Sequence, residues 1–311
     1  MTDRTARIDR AELVLGWRAY ADVGAETKVV VKVAARTDMG RVRENNEDKF
    51  EWYEPEEPGV VAARGSLFAV ADGVGGANAG QIASETALSM LITGYYNSEL
   101  EDVDGALNEA IQAASDRIYA MARLLPSRSG MATTLTAAVI VGGDVVIAQV
   151  GDSRAYLVRN GDIRQVSLDH SWVEEQVRSG ALTRADAEMS PFRNVITRSV
   201  GSAPTTRVDF FWEEARAGDI WLLCSDGLSG CVSDNEICAT VEACSPAEAV
   251  RRLIVLANAR GGPDNVTAMV VSVREVLRDG LEAGAAAADS ERDGQGSLRR
   301  RSSAWSRLFG T

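Results

Sequence analysis

The sequence has a single histidine, His170, and only three lysines, Lys28, Lys32 and Lys49. One imidazole cannot build a histidine-rich dinuclear phosphatase centre, and a Ser-His-Asp triad would have to use His170 alone. His170 sits at a strand end and reads as a structural or flap-base residue. No lysine follows a Gly-x-x-x-x-Gly stretch, so there is no P-loop. The four cysteines, Cys224, Cys231, Cys238 and Cys244, contain no C-x-x-C pair, and none has an arginine six residues later. Zinc, thioredoxin-type and cysteine-phosphatase chemistry are therefore unsupported. Four reduced, mostly buried thiols are expected, and their clustering near Asp226 leaves a redox-sensing role open. No apolar run approaches the roughly 18 residues of a transmembrane helix, and the N-terminus has no signal-peptide stretch. A cytoplasmic chain without a transmembrane segment is expected.

What is present suits a soluble fold. The 311 residues are 45% hydrophobic and 25% charged, enough to bury a core. A formal net charge of -12 excludes a body built for non-specific nucleic-acid binding and favours attraction of cations.

Strands are expected at 29–35, 67–71, 133–141, 145–150, 155–159, 163–166, 207–212, 219–225 and 266–273. Gly142-Gly143 and Asn160-Gly161 are two-residue hairpin signals, which argue antiparallel sheet. Helices are expected at about 80–96 and 103–123, and a short one at about 11–20. Two more begin at Ser233-Asp234-Asn235-Glu236 and Ser245-Pro246-Ala247-Glu248, which both match the capping box. Helices and hairpins fall in separate blocks, so the fold class is α+β, with helices layered on antiparallel sheets. The expected organisation is an N-terminal extension at 1–27, a main domain at 28–275 and a linker with a basic tail at 276–311. The tail is expected to be disordered, or to dock on a partner or membrane surface through Trp305, Leu308 and Phe309.

Four aspartates stand at strand boundaries, each with a glycine within two residues: Asp72, Asp152, Asp226 and Asp264. Strand ends hold such carboxylates rigidly while pointing them at a cleft. If they converge, their mutual repulsion is relieved by divalent cations. A carboxylate-only site selects hard ions, Mg²⁺ or Mn²⁺, and two such ions can activate a water for attack on phosphorus. Arg43, in Arg43-Glu44-Asn45-Asn46-Glu47-Asp48, is a candidate for binding the phosphate oxygens, against the plainer reading of a surface arginine. Gly73-Val74-Gly75-Gly76-Ala77-Asn78 mimics a dinucleotide fingerprint, but Asn78 takes the third glycine position and Asp72 would face the pyrophosphate.

Six motifs occur in order: Arg43–Asp48, Asp72–Gly76, Gly130–Leu135, Val150–Arg154, Ser225–Leu228 and Gly261–Asn265. The series resembles that of the metal-dependent PPM (PP2C-type) Ser/Thr protein phosphatases, bacterial branch, over about residues 29–273. The resemblance implies a four-layer α-β-β-α sandwich with two central antiparallel sheets. It implies hydrolysis of phosphoserine and phosphothreonine at a dinuclear Mn²⁺ or Mg²⁺ site without a phosphoenzyme. Asp72 would bridge the metals and the Gly73 carbonyl would ligate the second. Asp226 and Asp264 would hold the first, and Asp152 with Asp226 a weaker third. Glu47 and Asp48 would hold metal-bound waters, Arg43 the substrate phosphate, and residues 168–200 would form a flap beside the cleft. Partners would be phosphorylated proteins, among them a Ser/Thr kinase or its substrates. The alternative is a catalytically inactive binding module on the same fold, which usually lacks a metal aspartate. Departures from the family pattern are Ala77 and Ser190 where relatives carry histidine, and no histidine between Val74 and Asn78 as a general acid.

Overall fold

In the strand β3 (Ser66–Ala71), Leu67, Ala69 and Ala71 face one apolar cluster while Phe68 and Val70 face another. Strand pleating sends alternate side chains to opposite faces, so a strand buried on both sides belongs to an inner layer. The computed structural model describes residues 27–75, 79–124 and 126–278. Its first compact unit ends at Leu277. The expected helix at 11–20 and the tail lie outside the described residues.

One five-stranded sheet has the order β10-β7-β6-β3-β2, formed by β10 (Asp209–Glu214), β7 (Asp144–Val150), β6 (Leu135–Val141), β3 and β2 (Lys49–Tyr53). Its four strand pairs are all antiparallel. The other has the order β1-β12-β11-β8-β9, formed by β1 (Thr27–Asp38), β12 (Val266–Arg278), β11 (Ile220–Cys224), β8 (Arg154–Arg159) and β9 (Asp162–Gln165). A two-residue pair, β4 (Gly73–Val74) with β5 (Ala132–Thr133), stands apart. The expected strand 133–141 therefore breaks at Thr134, where the backbone turns to the aspartate described below.

Three apolar clusters define the layers. Phe68, Ile147, Leu157, Trp221, Leu223 and Met269 meet between the two sheets. The outer face of the first sheet packs on α2 (Ala79–Asn97) and α3 (Val103–Leu124) through Leu88, Leu91, Leu107 and Ile111. The outer face of the second packs on α7 (Asp234–Ala243) and α8 (Pro246–Ala259) through Ile237, Val241, Leu253 and Ile254. The result is the α-β-β-α sandwich. Leu223→Ala, between the sheets, is expected to cost about 2–5 kcal/mol in urea unfolding with an unchanged m-value.

Asn160 (φ 55°) and Gly161 (φ 86°) both take positive φ between β8 and β9, which is the type I′ turn their sequence signals. Three expectations shift. β10 runs two residues later than 207–212 because it pairs with β7 until Glu214 lies opposite Asp144. β2 and α1 (Pro58–Arg64) are additional elements. At α7 the Ser233–Glu236 capping box forms, but at α8 Ser245 makes no side-chain cap bond. There Glu248 is held instead by Arg251 at 2.7 Å and Arg252 at 2.6 Å, and Pro246 sets the helix entry.

Candidate metal centre

Asp72 follows the last residue of β3 and Asp152 lies two residues beyond β7, both from the first sheet. Asp226 opens α6 (Asp226–Ser229) just after β11, and Asp264 precedes β12, both from the second. The four therefore come from facing sheets. Their convergence shows in their electrostatics. Burial pushes the Asp72 carboxyl well above its ordinary range, and the charges of Asp48, Asp226, Asp152 and Asp264 push it further. Asp152 is raised to about 8 by burial and by Asp226 and Asp169. Asp48 is raised to about 7 by burial and by Asp226 and Asp264, against the pull of a bond from Ser225. Asp226 is raised by burial and by Asp264, against a hydrogen bond shared with the Asp72 carboxyl.

Backbone clamps hold this arrangement. Asp72 N–H donates to Thr134 Oγ1 at 2.9 Å, while Thr134 N–H and Thr133 Oγ1 both donate to the Asp72 carbonyl at 2.9 Å. Thr134 Oγ1 also meets Ser153 Oγ at 2.8 Å, tying the Asp72 turn to the Asp152 turn. Gly151 takes φ +103°, and a Cβ there would lie 2.6 Å from the Thr134 side chain, so only glycine lets the two turns touch. Asn265 Oδ1 accepts from Glu47 N–H at 2.8 Å, and its Nδ2 donates to the carbonyls of Met39 and Asn45. That side chain fastens the 39–47 loop to the Asp264 turn. Gly73 N–H donates to the Glu47 carbonyl at 3.3 Å. Burial raises the Glu47 carboxyl, which Arg43 partly offsets.

Within this cluster two buried carboxylate oxygens, Asp48 Oδ1 and Asp226 Oδ1, have no hydrogen-bond partner among the described residues. The other Asp48 oxygen accepts from Ser225 Oγ at 2.6 Å. Buried polar atoms without partners are costly, and ionising these two carboxyls would make them costlier still. Arg43 Nη2 lies 2.7 Å from Asp264 Oδ2 and is the arginine that offsets the charge of Asp226. Among the described residues no three His, Cys, Asp or Glu side chains already form an ion's ligand set. Arg43 pairs with Asp264, and the charges of Asp48, Asp226, Asp152 and Asp264 all act on the Asp72 carboxyl. Hard oxygen donors, a deficit of positive charge and two orphaned oxygens fit Mg²⁺ or Mn²⁺.

The structure thus brings together Asp48, Asp72, Asp152, Asp226 and Asp264, with Glu47 and Arg43 at the rim. Thr134, Ser225 and Asn265 lay inside the quoted motifs, but their clamping roles depend on partners distant in sequence. Gly76, Ala77 and Asn78 lie outside the described residues. His170 has both ring nitrogens engaged, by Gly151 N–H and by Asp209. The cysteines are free, and burial raises the thiols of Cys231, Cys238 and Cys224, the last to about 12, which disfavours the reactive thiolate.

The family model for Protein phosphatase 2C matches residues 35–177. The serine/threonine protein phosphatase PstP of Mycobacterium tuberculosis is 38% identical over 249 residues, 80% of this chain and 46% of PstP. The chain therefore spans less than half the length of that relative. The serine/threonine phosphatase stp of Listeria welshimeri is 36% identical over 253 residues, 80% of this chain and 98% of stp. The crystal structure of the PstP catalytic domain in complex with 2 manganese ions superposes with a TM-score of 0.69 at 38% identity, covering 80% of this chain and 100% of that one. By sequence and fold alike, this chain belongs to the protein phosphatase 2C (PPM) family of serine/threonine phosphatases, in its bacterial branch.

Proposed function

We propose that the chain removes phosphate from phosphoserine and phosphothreonine on proteins, with Asp72 at the centre of a dinuclear Mn²⁺ or Mg²⁺ site. The observation that carries this reading is the meeting of five carboxyl groups from two sheets, with two orphaned oxygens, beside an exposed arginine. Asp72 and the Gly73 carbonyl, Asp226 and Asp264 would hold the two ions. Asp152 with Asp226 would hold a third, and Glu47 and Asp48 would orient water around them. Bound there, two such ions would supply a water of lowered pKa and charge to offset that building on the phosphoryl oxygens. The PstP catalytic domain, solved with two manganese ions, supports a dinuclear metal site in this fold.

The chain's own residues then do three things. The Thr134, Ser225 and Asn265 clamps fix the carboxylates before substrate arrives, which favours an early-paid entropy cost. Arg43, with its side chain 55% exposed, would exchange Asp264 for two phosphate oxygens. His170, held at both nitrogens, is not free to serve as a general acid. Residues 168–200 contribute α4 (Trp172–Arg178) and α5 (Arg184–Glu188), and we assign them as the substrate-facing flap within a phosphatase domain at 28–275. An N-terminal extension at 1–27 and a linker with a basic tail at 276–311 would flank it. Phosphorylated proteins, a Ser/Thr kinase among them, are the expected partners. The cytosol is the expected compartment, in keeping with four free cysteines. No helix among the described residues is long and apolar enough to cross a membrane.

Phosphate release from a phosphothreonine peptide by the full chain tests this reading. Activity should vanish in EDTA and return with Mn²⁺, and turnover indifferent to EDTA would overturn it. Arg43→Ala should lower kcat/KM by about 10- to 100-fold, the worth of a charge-assisted bond pair, with Arg43→Lys restoring only part.

A further inference from the structure

His170 is 2% exposed and joins three separate elements. Its Nδ1 accepts the Gly151 N–H at 3.1 Å, and its own N–H donates to the Gly151 carbonyl at 2.8 Å. Because Nδ1 accepts, the ring hydrogen sits on Nε2, which reaches Asp209 Oδ2 in β10 at 3.1 Å. Arg198 Nη1, from the far limb of the flap, meets the other oxygen of Asp209 at 3.0 Å. The two limbs are also sewn together at their base. Thr197 N–H donates to the His170 carbonyl and Trp172 N–H to the Val195 carbonyl, each at 2.8 Å. Gly151 is the residue before Asp152; the Gln149 side chain holds its carbonyl at 3.0 Å, but among the described residues His170 is the side chain that holds its N–H.

We propose that His170 is a positioning residue that couples the flap to the Asp152 carboxylate, through its Nδ1 bond to the Gly151 amide. The flap base and the Asp152 turn then move as one body. A substrate that shifts the flap also adjusts an acidic group at the reaction centre. This inference rests on the phosphatase reading and adds to it a link between substrate recognition and the site. A His170→Asn side chain places Oδ1 on the same branch as Nδ1 and can still accept the Gly151 N–H. His170→Ala cannot, and His170→Gln carries its amide one methylene too far.

The test compares wild type, His170→Asn and His170→Ala as full chains, with Asp152→Ala and the double variant. Readouts are kcat on p-nitrophenyl phosphate, KM for a phosphothreonine peptide, and Mn²⁺ titration calorimetry. His170→Ala should lower kcat by about tenfold, the cost of one buried hydrogen bond, and raise the peptide KM. It should weaken the loosest Mn²⁺ site while leaving tighter ones unchanged, and His170→Asn should recover kcat and the loose site. Asp152→Ala with His170→Ala should lose no more than about twofold in kcat beyond Asp152→Ala alone, because the two act in series. Additive losses, or His170→Ala and His170→Asn equally impaired while folded, would overturn the coupling. So would a His170→Ala enzyme as active as wild type. If His170→Ala does not fold, His170→Gln takes its place in every comparison. Wild type without activity would instead sink the phosphatase reading itself.

Discussion

Asp72→Ala should lower Mn²⁺-dependent hydrolysis of a phosphothreonine peptide by about 1,000-fold or more, since paired metals supply several kcal/mol of transition-state stabilisation. The substituted protein should still fold. Thr133 and Thr134 hold residue 72 through its backbone N–H and carbonyl, which alanine retains. The substitution also removes a carboxyl whose burial among Asp48, Asp226, Asp152 and Asp264 is unfavourable. Without metal, Asp72→Ala should therefore melt at the same temperature as wild type or higher. Loss of activity combined with retained stability separates a functional carboxylate from a structural one. Turnover within tenfold of wild type would mean that Asp72 does not centre the site.

In EDTA, the melting temperature should fall by about 5 °C as pH rises from 6.5 to 8, and saturating Mn²⁺ should abolish most of that fall. In the unfolded chain these aspartates ionise near their ordinary 3.8, whereas in the fold Asp48 keeps its proton to about 7 and Asp152 to about 8. Between those limits the folded protein binds more protons than the unfolded one, so stability declines with rising pH. Burial raises Asp226 and Glu47 in the same sense. Two groups that act oppositely, Glu236 and Glu248, held near 2 by arginines, lose their contribution only in acid. His170, lowered by burial, opposes the trend only at the acid edge of the window, where the unfolded imidazole still binds part of a proton, and one such group is outweighed by Asp48 and Asp152. Binding of Mn²⁺ to the ionised cluster converts the same repulsion into affinity, and a ligand at 100 times its Kd adds about 2.7 kcal/mol. A metal-free melting temperature flat across this range would show that the carboxyls do not crowd one another.

The parts of this molecule legible in its sequence are those set by neighbours along the chain. Asn160-Gly161 specifies its turn because both residues tolerate positive φ, and the four aspartates stand out because each ends or precedes an apolar strand. What escaped reading is set by tertiary partners. Lys49-Phe50-Glu51-Trp52-Tyr53 carries two charges, yet all five residues of β2 are buried. Lys49 Nζ is satisfied by the carbonyls of Asn46 and Asp48, at 2.8 and 3.1 Å. In α1, Pro58-Gly59 imitates a turn, and Arg64 is buried because its guanidinium caps the Ser98 and Leu100 carbonyls. The same holds in the site. Ser225 reaches Asp48 across 177 residues and Arg43 reaches Asp264 across 221, separations at which no local pattern survives.

Anomalous scattering from a crystal grown in manganese measures the central claim most directly. Two strong peaks are expected among the Asp72, Asp226 and Asp264 carboxylates, both of them against Asp72, with Arg43 released from Asp264. A well-ordered cluster with no peak, and Arg43 still bound to Asp264 at saturating Mn²⁺, would contradict it.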